Sequence, residues 1–264
     1  MLLEVSHLRV AFRLGGSRRA VPVRDVSFAV PENGRVALVG ESGCGKSLTA
    51  LALGGLVDRA EISGTIAGRP RISYVFQNPM QSLNPVMRVG RQIDEAFPRG
   101  TPKALRARRT EELLASVELP PETARKYPCE MSGGQQQRVM IAMALAAEPE
   151  LLIADERRMS VLLITHNLGL VAKYARDVNV MYAGEIVEAG PVATVLRAPR
   201  HPYTQGLLAA VPRLDAPKDA PLADIPGTVP PPTDWPTGCA FHPRCPKARP
   251  ACADPAFAGC PETR

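Results

Sequence analysis

Lys46 and Ser47 close the stretch GESGCGKS (Gly40–Ser47), which fits G-x-x-x-x-G-K-[ST] at every fixed position. Gly40, Gly43 and Gly45, with Ser42 among them, let a backbone fold around an anion so that successive N–H groups point inward, and a following helix N-terminus adds partial positive charge. Lys46 would reach the β and γ phosphates of a nucleotide. Ser47 would place its hydroxyl on Mg2+, a cation that keeps several waters and takes few protein ligands. Cys44, inside the loop, is expected to be a bystander. A second group is acidic: LLIADE (Leu151 to Glu156) is an apolar run closing on adjacent carboxylates, Asp155 and Glu156, and VLLITHN runs up to His166. A third is made of thiols. Cys239, Cys245, Cys252 and Cys260 crowd into the last 26 residues with the spacing C-x5-C-x6-C-x7-C. In a chain read as cytosolic, such crowding suggests a metal site more than disulfides. The spacing is none of the tight zinc-finger forms, so iron–sulfur, zinc and uncoordinated thiols stay open.

These residues need elements to carry them. VALVG (Val36 to Gly40) reads as a strand that breaks into the glycine loop, and KSLTALALGGL as the helix after it, with Leu48, Leu51 and Gly55 at helical spacing. ISYVFQNP (Ile72 to Pro79) reads as a strand ended by the Asn78-Pro79 turn signal, with Gln77 near its end. The residues from Asn78 to Met131 look wholly helical: Val89, Ile93 and Phe97 share a face, and Thr101-Pro102 supplies a cap and first position for a second helix. Ser132 caps another helix, with Ile141 and Leu145 on its buried side, which Pro149 ends. Strands return at Leu151 and Val161. After Gly190 the composition changes, because 16 of the 27 prolines lie in the final 74 residues, too many for a regular α/β layer.

The 264 residues, 45% apolar, suffice for one large domain or two smaller ones. No apolar run approaches the roughly 18 residues of a transmembrane helix. The N-terminal residues lack a secretory pattern, so a cytoplasmic protein is expected. The formal charge of +6 is spread along the chain and aromatic residues make up 5%, which argues against a nucleic-acid groove.

In order, GESGCGKS, VFQNP, MSGGQQQR (Met131 to Arg138), LLIADE and LLITHN resemble the ATP-binding subunit of an ABC transporter. The resemblance implies an α/β fold: a RecA-like P-loop NTPase core (1–77 and 132–190) with an inserted helical subdomain (78–131) and a loop-rich C-terminal extension (191–264). It implies that Gln77 links the Mg2+ and attacking-water region to the helical subdomain, and that Asp155 holds Mg2+ through water. Glu156 would polarise the water attacking the γ-phosphorus, and His166 would contact both that water and the γ-phosphate. Phe12 stands where relatives stack an aromatic on adenine. Ser132, Gly133, Gly134 and Gln135 would present a helix N-terminus to ATP bound by a second ABC ATPase subunit, so a homo- or heterodimer is implied. HPYTQGLLAAVPRL (His201 to Leu214), followed by prolines and GCAFHPRCP, resembles the subfamily that energises oligopeptide, dipeptide and related (including nickel) import. That implies transmembrane permease subunits, an indirectly associated substrate-binding protein, a place on the cytoplasmic face of the membrane and no nucleic acid. In relatives the four-cysteine pattern is associated with a [4Fe-4S] cluster.

One feature departs from the family. Between the strands carrying Asp155-Glu156 and His166 lie only Arg157, Arg158 and Met159. Parallel neighbours need a crossover of roughly a dozen residues or more, so about 20–25 residues present in relatives are missing here. Either the segment has been lost or one strand is displaced. The expectation is an importer ATPase, with a degenerate nucleotide-binding protein of little or no turnover as the alternative.

Overall fold

The computed structural model describes residues 1–16, 18–75, 82–153, 160–211, 224–257 and 260. The chain divides into two compact units, Met1–Arg69 with Leu162–Arg264, and Pro70–Val161.

The first unit begins with β1 (Leu3–Arg13) and β2 (Arg19–Val30), antiparallel partners with Glu4 opposite Ala29 and Phe12 opposite Ala20. Apolar residues of β1 alternate with polar ones, and Leu3, Val5, Leu8 and Val10 are buried. β3 (Arg35–Val39) reads differently: Val36, Ala37, Leu38 and Val39 are all buried, the signature of a strand covered on both faces. It leads into α1 (Lys46–Leu53), after which β4 (Ala60–Ala67) pairs antiparallel with the free side of β1.

The second unit holds the helices. β5 (Ile72–Tyr74) is followed by α2 (Val89–Ala96), α3 (Lys103–Ser116), two short 3-10 turns (Pro121–Arg125 and Pro128–Glu130) and α4 (Gly133–Ala146). Among the described residues from 82 to 131 there is no strand. Val89, Ile93 and Phe97 pack with Leu114, Leu119, Met131, Val139 and Met140 in one apolar core. Two sequence expectations shift. α3 starts one residue later than expected, with Pro102 as its cap residue, while the Thr101 hydroxyl donates to the Pro98 carbonyl. On α4 the deepest residues are Gln136, Val139, Met140, Ala142 and Ala146, and Ile141 and Leu145 are half-buried.

β6 (Leu151–Ile153) lies parallel to β5 and to the first residues of β7 (Ser160–Thr165), with Leu151 beside Ser160 and Leu152 beside Val161. The two strands are thus parallel neighbours, and the expectation about the short link between them falls outside the described residues. β6 is described as far as Ile153 and β7 from Ser160, and residues 154–159 lie outside the described residues. Leu151 lies level with Ser160. β7 is thus paired beside β6 and is not displaced.

The rest of the first unit is α5 (Leu168–Tyr174), the hairpin of β8 (Asp177–Tyr182) and β9 (Glu185–Pro191), the short α6 (Val192–Val195) and α7 (Pro202–Ala209). β8 runs parallel to β3, and β9 meets β2 at Asp25–Glu185, so this unit orders its strands β4-β1-β2-β9-β8-β3. The extension lies on the end of β8 through Tyr182, Tyr203 and Phe241, three nearly inaccessible rings with centroids 4.6 to 5.4 Å apart.

Candidate functional site

The turn from β3 to α1 is shaped by backbone crowding. A Cβ at Gly40 would stand 2.1 Å from the Met181 carbonyl oxygen, and one at Gly45, where φ is 106°, would stand 2.6 Å from that of Pro22. Only glycine fits either place. Gly184, in the β8–β9 turn, donates its N–H to the Cys44 carbonyl at 3.1 Å and so backs the loop from behind. No side chain caps α1 and no acid occupies its first turn, so its leading amides and the positive end of its dipole are left for an anion. Lys46 Nζ crosses the loop, donating to the carbonyls of Gly40 (2.8 Å) and Glu41 (2.7 Å). Ser42, Gly43 and Ser47 are exposed on the loop and the first turn of α1. Cys44 is fully buried, and burial pushes its thiol pKa up despite the nearby Lys46 ammonium. It is packing, not a nucleophile.

The remaining expected residues fall in three groups. Phe12 is half-buried on β1, facing Ala20 and Ala60 across the neighbouring strands. His166 is exposed where β7 ends, just ahead of Asn167, whose side chain accepts the Gly169 N–H at 2.9 Å and starts α5. Ser132 and Gln135 form a reciprocal cap on α4, with Gln135 N–H to Ser132 Oγ at 3.3 Å and Ser132 N–H to Gln135 Oε1 at 3.1 Å. The Gln135 carboxamide is thus engaged within its own helix end. Gly133 and Gly134 are exposed, and a Cβ on either would meet nothing within 4 Å. Gln77, Asp155 and Glu156 lie outside the described residues.

The four C-terminal cysteines line one cavity of about 20 Å³, together with His201 and Phe241. No disulfide joins them. Burial raises the thiol pKa values of Cys239 and Cys245, and the proximity of Cys252 and Cys260 adds to the rise. Among the described residues no group of three or more His, Cys, Asp or Glu is placed to hold a metal ion. Nothing among the described residues therefore supports the [4Fe-4S] cluster that the resemblance implies. Sequence reasoning also missed Glu41, to which both Tyr203 and Arg244 bond. No spacing rule links positions 203 residues apart.

Comparison with known proteins agrees with this geometry. Residues 23–158 match the ABC transporter family, and residues 187–252 match the family described as oligopeptide/dipeptide transporter, C-terminal region. A putative peptide import ATP-binding protein of Brucella abortus (strain 2308) is 42% identical, covering 96% of this chain and 90% of the relative. The dipeptide transport ATP-binding protein of Escherichia coli (strain K12) is 40% identical, covering 95% and 90%. The first alignment extends over 301 positions, longer than this chain of 264 residues, so that relative carries stretches with no counterpart here. The dimeric structure of a bacterial ABC transporter cassette, MJ0796, superposes with a TM-score of 0.62 at 22% identity, covering 72% of this chain and 99% of the cassette. This places the fold among the RecA-like P-loop cassettes. The likenesses favour an ATPase subunit over a degenerate nucleotide binder, and the chain belongs to the ABC transporter family as an ATP-binding subunit with the oligopeptide/dipeptide transporter C-terminal region.

Proposed function

We propose that this chain binds and hydrolyses ATP to drive import of peptides or related solutes through separate transmembrane permease subunits fed by a substrate-binding protein. Among its described residues no helix is long and apolar enough to cross a membrane, so its place at the cytoplasmic face rests on those partners. The observation that carries the reading is the uncapped start of α1 behind a glycine loop crossed by Lys46. In this reading residues 1–77 and 132–190 make the nucleotide-binding core, 78–131 the helical subdomain and 191–264 the extension.

Lys46 and the amides of Gly43, Gly45 and Ser47 hold the phosphates, and Phe12 lies under adenine. Ser47, Asp155 and Gln77 hold Mg2+, which neutralises charge on the phosphoryl oxygens when bound. Glu156 orients and polarises the attacking water, and His166 steadies it. Ser132, Gly133, Gly134 and Gln135 address the nucleotide of a second cassette. Support for that last role comes from α4 itself, because glycine is a poorer helix former than alanine and nothing described around Gly133 and Gly134 requires it.

Calorimetry with MgATP tests the core of the reading: the wild-type protein gives saturable heat and Lys46→Ala gives none. Phosphate release in the presence of permease subunits then stands well above that of Glu156→Gln. Equal turnover in the two proteins would remove hydrolysis from the proposal.

A further inference from the structure

Glu41 is the second residue of the phosphate loop, a position at which the loop pattern accepts any residue. Two residues of the extension hold it from outside. Arg244 donates from Nη1 to Glu41 Oε2 at 2.8 Å and from Nη2 to Oε1 at 3.0 Å, a two-pronged pair. The Tyr203 hydroxyl accepts the Glu41 backbone N–H at 2.8 Å.

Neither contact is a loose surface pairing. The Arg244 side chain is 5% exposed and that of Glu41 29%. The guanidinium is oriented by further bonds to the carbonyls of Ile225 (3.0 Å), Pro226 (2.8 Å) and Gly227 (3.2 Å), and its Cζ lies 5.8 Å from the centre of the Tyr182 ring. Tyr203 is fully buried against Tyr182 and Phe241. The loop is built for a polyanion, yet it carries a carboxylate one residue after Gly40. Left uncompensated, that charge would repel the phosphates, and in a partly buried site the repulsion is screened less than in water. Arg244 cancels it and fixes where the Glu41 side chain points.

We infer that Arg244 and Tyr203 are positioning residues for ATP binding, through which the C-terminal extension holds the second residue of the phosphate loop and neutralises its carboxylate. The inference rests on Gly40–Ser47 being the ATP site.

The test uses the full chain, MgATP affinity by calorimetry and kcat with KM from steady-state hydrolysis. Arg244→Gln raises Kd about tenfold, equivalent to ~1.4 kcal/mol, and raises KM in step while kcat at saturation holds. Glu41→Gln added to Arg244→Gln brings Kd back to within about threefold of wild type, since no carboxylate is left to oppose the anion. A staple that served stability alone would not be rescued this way. Tyr203→Phe, which deletes only the hydroxyl, raises Kd about threefold. An unchanged Kd in Arg244→Gln, or a double variant no better than the single one, overturns the inference. Should Arg244→Gln fail to fold, Tyr203→Phe decides, and an unchanged Kd there overturns it too. Wild-type and Lys46→Ala proteins that bind alike would instead sink the ATP-site reading, and this inference with it.

Discussion

At Gly45 the backbone holds φ at 106° and a Cβ would press on the Pro22 carbonyl from 2.6 Å, whereas at Gly133 an added Cβ meets nothing within 4 Å. The two alanine substitutions should therefore separate stability from activity. Gly45→Ala is expected to destabilise the fold by about 1–3 kcal/mol and to abolish MgATP binding, read by thermal unfolding and calorimetry. Gly133→Ala is expected to leave thermal stability unchanged or slightly raised, because alanine suits a helix better by about 1 kcal/mol, while ATP turnover falls. A Gly133→Ala protein with full turnover would remove the role given to that helix start. The loop glycines and Lys46 were legible because their chemistry is local: eight consecutive residues carry it. Arg244 was not, since a guanidinium between two cysteines says nothing of a carboxylate 203 residues earlier.

Among the elements, those with a local start or stop signal were read well. β3 with α1, the helical stretch around Val89–Phe97 and the Ser132 cap all follow from short patterns. β1, β2, β4, β8 and β9 went unread. β1 does alternate, but its pairing shifts register around His7, where φ is 53°, and the period breaks there. β8 is buried along five successive residues, a run that periodicity cannot assign to strand or helix. α7 yields a pH prediction. His201 caps it, its Nδ1 accepting the Tyr203 N–H at 3.1 Å, and burial holds its pKa down to about 4 against 6.5 for the free side chain, with Glu188 opposing. The folded protein thus takes up this proton less readily than the unfolded chain. The contribution of His201 to stability is complete above pH 6.5 and declines as pH falls toward 4, by roughly 3 kcal/mol in all. Thermal melts across that window should show the loss, and His201→Asn, which retains a capping acceptor, should flatten it. A wild-type melting temperature independent of pH between 6.5 and 4 would contradict this.

For the whole molecule, the sequence pointed to a protein in which one cassette needs another, and the matching solved cassette is dimeric. Glu156→Gln with MgATP should elute from a sizing column as a dimer, and Gly134→Asp added to it should restore the monomer by placing a charge where the second nucleotide is addressed. A monomer under both conditions would confine the protein to solitary nucleotide binding. The sequence sets residues 78–131 apart as helical, whereas the second compact unit runs from Pro70 to Val161 and takes in β5, α4 and β6 as well. β6 and β7 are the parallel neighbours that the resemblance implies, and the link between them lies outside the described residues. The Arg244–Glu41 pair has one more consequence, which concerns the order of synthesis. Glu41 leaves the ribosome 203 residues ahead of Arg244, roughly 10–40 s earlier at ordinary translation rates. For that interval the nascent phosphate loop carries an unmatched carboxylate, and on the inference above it holds MgATP more weakly until Arg244 arrives.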